Sequence, residues 1–160
     1  MSRYYKFSFL LLVLVSLFLP CMAKAQDDVA SHNKQEEKEF MSKIRSVKGV
    51  KSSSSGLLYK IENRGKGRKP LAYDEVYVKY KGTFADGTVF DSSTESPAIF
   101  RMNALIKGMS EGLSMLGIGG KATLYIPYHL GYGEQGTASI EPCKLLIFEV
   151  ELMDVYNEFD

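Results

Sequence analysis

The sequence predicts an α+β domain in which a curved antiparallel sheet covers a single amphipathic helix. Three observations predict it. Apolar and polar residues alternate with period two in several separate segments, the clearest being 76–81, 121–127 and 145–155. Within that strand-rich region only residues 104–116 repeat at helical spacing, with Leu105, Met109, Leu113 and Leu116 on one line. Ala85-Asp86-Gly87-Thr88 supplies a tight turn with Asp-Gly at its centre, so that the segments on either side of it read as an antiparallel hairpin.

The elements follow in order. Residues 26–49 are polar and charged, and a short helix is expected over 33–47. Asn33 with Glu36 resembles a capping pair, Glu39 and Lys43 have a favourable i, i+4 spacing, and Phe40, Ile44 and Val47 form one apolar stripe. At this length the stripe is as consistent with a fraying arm as with docking onto the domain or onto a second copy. Residues 51–55 read as a serine-rich linker, and the folded domain is expected to begin near Gly56. A strand over 57–62 ends at Asn63-Arg64-Gly65-Lys66-Gly67. In the next strand Val76, Val78 and Tyr80 alternate with Tyr77, Lys79 and Lys81. Ala85-Asp86-Gly87-Thr88 then turns the chain into Val89-Phe90-Asp91-Ser92. Residues 96–101 suit a short edge strand, because Pro97 lacks a ladder donor. In the helix over 104–116, Gly108 and Gly112 stand one turn apart. They lower its helix propensity but permit close approach by sheet or ligand. Two further strands close the domain, with Ala122, Leu124 and Ile126 on one face of the first and Leu146, Phe148, Val150 and Leu152 on one face of the second.

The chain of 160 residues is sized for one domain. Residues 1–25 read as a secretory signal peptide. Arg3 and Lys6 precede an apolar run of 13 residues, too short for the roughly 20 that span a bilayer, and Pro20 and Ala23-Lys24-Ala25 place cleavage after Ala25. Export, most simply to a periplasm, is therefore expected. A lipid anchor on Cys21 is the alternative, against which the bulky Phe18-Leu19-Pro20 counts. The expected organisation is thus a signal peptide at 1–25, a polar arm and linker at 26–55, the folded domain at 56–155 and a tail at 156–160. Without the first 25 residues, 17 basic residues face 19 acidic ones, for a net charge of about −2, and no basic block remains to bind nucleic acid. Cys143 is then the one cysteine left and reads as a small buried hydrophobe.

Several chemistries find little support. Gly131-Tyr132-Gly133-Glu134-Gln135-Gly136 matches G-x-G-x-x-G, but the turn-like residues after it do not open a helix, so the glycines read as loop formers around Tyr132. His32 and His129 are the two histidines, too few for a zinc site, and neither metal nor other cofactor is expected. Asp86 is a turn former. Asp91 is different: it follows Phe90 at a strand end, where a carboxylate can be held beside an apolar pocket.

Four ordered segments resemble the FK506-binding immunophilin (FKBP) family. The run from Val78 to Ser93 is similar to its tyrosine strand, Asp-Gly turn and Phe-Asp-Ser ending. Leu105-Ile106-Lys107-Gly108-Met109-Ser110-Glu111-Gly112-Leu113 resembles its helix, Ile126-Pro127 to Gly133 its Ile-Pro…Tyr-Gly loop, and Leu146 to Leu152 its closing strand. The resemblance covers residues 56–155 and implies an FKBP-like fold and a peptidyl-prolyl cis/trans isomerase without a covalent nucleophile.

It also implies the site. Tyr80, Phe90, Phe100, Leu105, Ile106, Tyr132 and Phe148 match the walls of a shallow proline pocket. Tyr132 matches a hydroxyl donor to a bound carbonyl, Ile106 a backbone amide donor, and Asp91 a carboxylate in an edge hydrogen-bond network. Two positions depart from the family pattern. Met109 stands where the best-known members have a tryptophan floor, replacing a flat rigid surface by a flexible one. Ile140-Glu141-Pro142 stands where Ile-Pro-Pro is common; Ile140 keeps an apolar wall, and Glu141 adds charge at the rim. The implied partners are proline-containing unfolded or partly folded polypeptides, with macrolide inhibitors as possible ligands. The alternative on the same fold is a non-catalytic peptide-binding or chaperone module. Residues 26–50 are short for the helical arms through which some members dimerise, so a monomer is expected.

Overall fold

The computed structural model describes residues 26–157. Residues 1–25, expected to be a signal peptide and including Cys21, and the last three residues lie outside them. Six strands, β1 (Val50–Ser52), β2 (Leu58–Asn63), β3 (Glu75–Thr83), β4 (Val89–Arg101), β5 (Lys121–Ile126) and β6 (Leu146–Tyr156), form one sheet in the order β1-β2-β5-β6-β3-β4. Every pairing is antiparallel. The alternation read from the sequence sets its inner face: Val76, Val78 and Tyr80 of β3, Ala122, Leu124 and Ile126 of β5, and Leu146, Phe148, Val150 and Leu152 of β6 are all buried. The helix α2 (Lys107–Ser114) lies across that face and buries Met109 and Leu113 against it, with Leu116 completing the contact. This is the expected α+β arrangement of an antiparallel sheet on one amphipathic helix.

α2 is shorter than its periodicity predicts. Residues Met102–Ala104 instead form a 3₁₀ turn, tied by the Met102 N–H to the Asp74 carbonyl at 3.0 Å. Leu105 and Ile106 are extended, with ψ of 156° and 148°, so their side chains are placed by an irregular entry segment and not by the helix. The glycines of α2 allow close approach to the sheet, as expected: a Cβ on Gly108 would lie 2.5 Å from Ile126 Cγ2, and one on Gly112 would overlap Leu124. Asp74 is buried, takes two hydrogen bonds of 2.8 Å from the Arg68 guanidinium and accepts the Leu71 N–H at 2.7 Å.

The N-terminal region departs further. The first helix, α1, occupies 26–45 and already passes through Asn33, which is therefore no cap. Asn33 is 2% exposed and binds the loop before β6, while the Phe40 ring lies 6.3 Å from that of Tyr125. Val47, expected on the helix stripe, sits in the following turn and is exposed. The serine-rich stretch does not act as a free linker at its start: Val50–Ser52 pairs with Ser52↔Leu58 register to β2, so the sheet begins before Gly56. At the other end β6 takes in Tyr156, one residue of the expected tail. Local composition could not reveal either extension, because both are made by pairing with a distant or neighbouring strand.

The segment 96–101 is not a separate strand but the second half of β4. Val78 pairs with Ala98 while Tyr80 pairs with Ser93, so residues 94–97, Pro97 among them, bulge from the sheet edge. The Ser93 hydroxyl donates to the Ser96 carbonyl inside this bulge. No helix among the described residues is long and apolar enough to cross a membrane.

Candidate functional site

Near the end of the sheet where β3, β4 and β6 meet, four aromatic side chains gather. The Tyr80 ring lies 5.8 Å from Phe100 and 6.1 Å from Phe148, and Phe90 meets Phe148 edge-on at 5.5 Å. Tyr80 and Phe148 are buried; Phe90 and Phe100 are half-buried and pack on the core from its margin. Offset and edge-on contacts of this kind hold rings in fixed orientation, leaving a rigid apolar surface that is partly open.

A β-bulge builds the polar edge. Strict alternation would send consecutive residues Phe90 and Asp91 to opposite faces. In the register, however, Gly82 pairs with Asp91 and Thr83 with Val89, so Phe90 is the extra residue. A bulge re-aims side chains, and here it lets Phe90 reach Phe148 while Asp91 Oδ2 accepts a 2.7 Å hydrogen bond from the Tyr80 hydroxyl. Burial and the Asp91 carboxylate push the Tyr80 phenol up to about 12, so it stays a neutral donor at physiological pH. The Tyr132 phenol is close enough to add to that shift. Tyr80 and Asp91 are thus joined at the margin of the ring cluster.

The remaining candidates lie at different depths. Ile106 precedes the first turn of α2, and its carbonyl accepts the N–H groups of Met109 and Ser110 at 3.1 Å each. Leu105 and Ile106 are half-buried against the core, and Met109 is 3% exposed beneath them. Tyr132 is 40% exposed in the loop between β5 and β6, and Ile140, in the same loop, is buried. Of the ten sequence-derived candidates, Tyr80, Met109, Ile140 and Phe148 thus belong to the core, Phe90, Phe100, Leu105 and Ile106 pack against it, Asp91 is joined to it through Tyr80, and Tyr132 is exposed in the loop before β6.

The family model described as FKBP-type peptidyl-prolyl cis-trans isomerase matches residues 66–153, more than half of the chain, and that span includes every candidate. The chain belongs to the FKBP-type peptidyl-prolyl cis-trans isomerase family. A second model, described as the domain amino terminal to FKBP-type peptidyl-prolyl isomerase, matches residues 15–61. The FKBP-type isomerase FkpA of Escherichia coli K12 is 44% identical over 135 residues, which cover 83% of this chain and 50% of that protein. The isomerase Mip of Coxiella burnetii is 40% identical over 126 residues, 77% of this chain and 55% of that one. The crystal structure of FkpA from Escherichia coli matches with a TM-score of 0.89 at 37% identity, covering 96% of this chain and 73% of that one. The chain spans about half the length of the curated relatives it matches.

Sequence reasoning passed over two supports of this aromatic cluster. Gly82 lies under the rings: a Cβ there would be 2.7 Å from Phe90 Cζ and 3.0 Å from Phe148 Cε1. A glycine at an inward position of an otherwise apolar strand was the available signal. Phe84 stacks on Phe90 at 4.8 Å, and the Lys144 ammonium stands 5.7 Å over the Phe84 ring. Other residues take the plain parts expected of them. Asp86 Oδ1 accepts the Thr88 N–H at 2.8 Å in the turn. His129 is an exposed loop residue, its Nε2 3.1 Å from the Ser55 carbonyl oxygen. Cys143 is buried, which pushes its thiol up and away from the reactive thiolate. Gly133 and Gly136 have φ of 70° and 64° in an irregular loop, not at a helix start. A hollow of about 490 Å³ on the outer sheet face is lined by Lys79, Lys81, Lys121, Glu149 and Glu151. Its charged walls suit a proline ring poorly. A groove of about 460 Å³ adjoins the site at Leu105 and runs past Lys107, Met102 and Leu71.

Proposed function

We propose that the chain is a peptidyl-prolyl cis/trans isomerase whose pocket is walled by Tyr80, Phe90, Phe100, Leu105, Ile106 and Phe148, over Met109 and Ile140. The single observation that carries this reading is the hydrogen bond from Tyr80, a member of the aromatic cluster, to the Asp91 carboxylate. A planar amide opposes rotation by about 18–20 kcal/mol because twisting it breaks resonance. The proline ring rests on the apolar wall. The Tyr132 hydroxyl and the Ile106 N–H hold neighbouring carbonyl oxygens of the substrate. Asp91, fixed by Tyr80, borders the twisted amide. These contacts favour the twisted amide over either planar isomer, which lowers the barrier without any covalent step.

The substrates on this reading are proline-containing polypeptides not yet folded, met after export to a periplasm behind the signal segment, with chaperone-like holding of such chains as an accompanying property. The same apolar wall accepts macrolide inhibitors, and the protein acts as a monomer. The test is the rate of cis-to-trans conversion in a set of Xaa-Pro peptides, for the chain from residue 26 onward and for its Tyr132→Phe and Asp91→Ala variants. The parent accelerates conversion, and each variant, still folded, loses about tenfold in kcat/KM, the worth of one hydrogen bond in the transition state. A parent no faster than the uncatalysed reaction for every peptide overturns the proposal in favour of a non-catalytic binding module.

A further inference from the structure

We propose that α1 is a clamp on the pocket rim, with Asn33 and Glu37 as positioning residues for Tyr132. The proposal rests on the isomerase reading for its consequence but not for its geometry. Tyr132 follows the 3₁₀ turn Tyr128–Leu130 in the long connection between β5 and β6, and its side chain is 40% exposed. Its place is decided by the backbone on either side, and that backbone is tied to α1 at two points.

On the N-terminal side, Glu37 Oε2 accepts the Tyr128 N–H at 2.7 Å. The Tyr128 carbonyl then accepts the N–H groups of Gly131 at 3.0 Å and Gly133 at 2.8 Å, the two residues flanking Tyr132. On the C-terminal side, Asn33 Nδ2 donates to the Pro142 carbonyl at 2.9 Å and to the Glu141 carboxylate at 3.1 Å. The next residue, Cys143, donates its N–H to the Gly133 carbonyl at 3.0 Å. Lys144 donates to Asn33 Oδ1 and to Glu36, both at 3.1 Å, which locks the asparagine amide in its orientation. Each tether thus runs from α1 to the residues beside Tyr132 through one or two backbone hydrogen bonds.

The strength of the clamp lies in its sheltered bonds. The Lys34–Glu134 pair is also present at 2.7 Å, but both side chains are open to solvent, where such pairs contribute little. Asn33 is 2% exposed, and its loss would leave the Pro142 carbonyl and Lys144 short of a partner. Holding an irregular loop in one arrangement offsets a large conformational entropy, and displacement of a positioning group by about 1 Å is enough to slow a reaction.

The test uses the full chain and four variants, Asn33→Ala, Glu37→Leu, Glu37→Gln and Tyr132→Phe. Amide hydrogen exchange is followed over 129–141 and over β3 and β6, alongside kcat/KM for an Xaa-Pro peptide. Asn33→Ala and Glu37→Leu are expected to speed exchange in 129–141 about tenfold, leave β3 and β6 protected, and lower kcat/KM about three- to tenfold. Glu37→Gln keeps an acceptor for the Tyr128 N–H and is expected to match the parent in both readouts. Exchange in 129–141 that ignores both disruptive substitutions overturns the clamp. So does a loosened loop with unchanged kcat/KM while Tyr132→Phe still slows the reaction. If the parent accelerates no peptide, the isomerase reading fails, and the exchange measurement alone decides whether α1 holds the loop.

Discussion

Tyr80 shows how one buried hydroxyl can organise a site. Its ring is part of the core and its oxygen reaches the margin, where it donates to Asp91 at 2.7 Å. The bond fixes a carboxylate beside apolar surface at the cost of desolvating a phenol. Because burial and the carboxylate raise the phenol to about 12, the folded state favours neutral Tyr80 relative to the unfolded chain, in which tyrosine titrates near 10. The sign of the linkage follows: the stabilisation is complete below about pH 10 and is lost as pH rises through the folded value near 12. The unfolding free energy of the parent, compared with Tyr80→Phe over this range, should therefore show a difference that is constant up to about pH 10 and shrinks above it. A difference that stays constant through the whole range would mean that the phenol does not titrate as described. In the sequence, alternation put Tyr80 on the inner face and the family resemblance put it in a pocket wall, but its link to Asp91, 11 positions away, depends on the bulge at Phe90.

At the scale of elements, the spacing between α2 and β5 decides how the helix is held on the sheet. Gly108 and Gly112 let the helix lie directly on Ile126 and Leu124. In an isolated helix Gly→Ala would stabilise by about 1 kcal/mol. Here an added Cβ at 108 meets Ile126 Cγ2 at 2.5 Å, and overpacking of a filled core costs about 1–3 kcal/mol. The overpacking range exceeds the propensity gain over most of its width, so Gly108→Ala should destabilise by up to about 2 kcal/mol, seen as a lower urea midpoint with an unchanged slope. An unchanged or higher midpoint would show that Ile126 yields without cost. The paired glycines were visible in the sequence as a sign of close approach. The true start of α2 was not, because Leu105 and Ile106 continue the apolar pattern while the preceding chain is anchored to Asp74.

Across the whole molecule, α1 joins the domain through the Phe40–Tyr125 ring contact, the sheltered Lys144–Glu36 pair and polar bonds of two further kinds. Lys34–Glu134 and, elsewhere on the surface, Arg101–Glu75 and Lys121–Glu151 are ion pairs with at least one well-exposed partner. Asn33 and Glu37 instead bind backbone groups at short range. Salt screens the first kind down to about 3 Å at 1 M and hardly touches the second. Raising KCl from about 0.05 to about 1 M should thus change the unfolding free energy by less than about 1 kcal/mol and leave one cooperative transition, followed by helix and tyrosine signals together. An early, salt-induced loss of helix signal would show that surface charge holds α1 in place.

Period-two alternation, one helical repeat and the Asp-Gly turn were enough to read the sheet, its single covering helix and the identity of its inward residues. Those features are local, since a buried face imposes its period on the residues that form it. The motif order from Tyr80 to Phe148 likewise pointed to one site. Three things needed the tertiary structure. The bulge that turns Phe90 and Asp91 to the same side is a matter of register between two strands. The pairing of Val50–Ser52 with β2 recruits a stretch whose composition reads as linker. The docking of α1 converts Asn33 from a supposed helix cap into a tether for a loop more than 100 positions away. Each is settled by a hydrogen-bond partner that lies elsewhere in the chain, and a residue's own sequence neighbours carry no information about that partner.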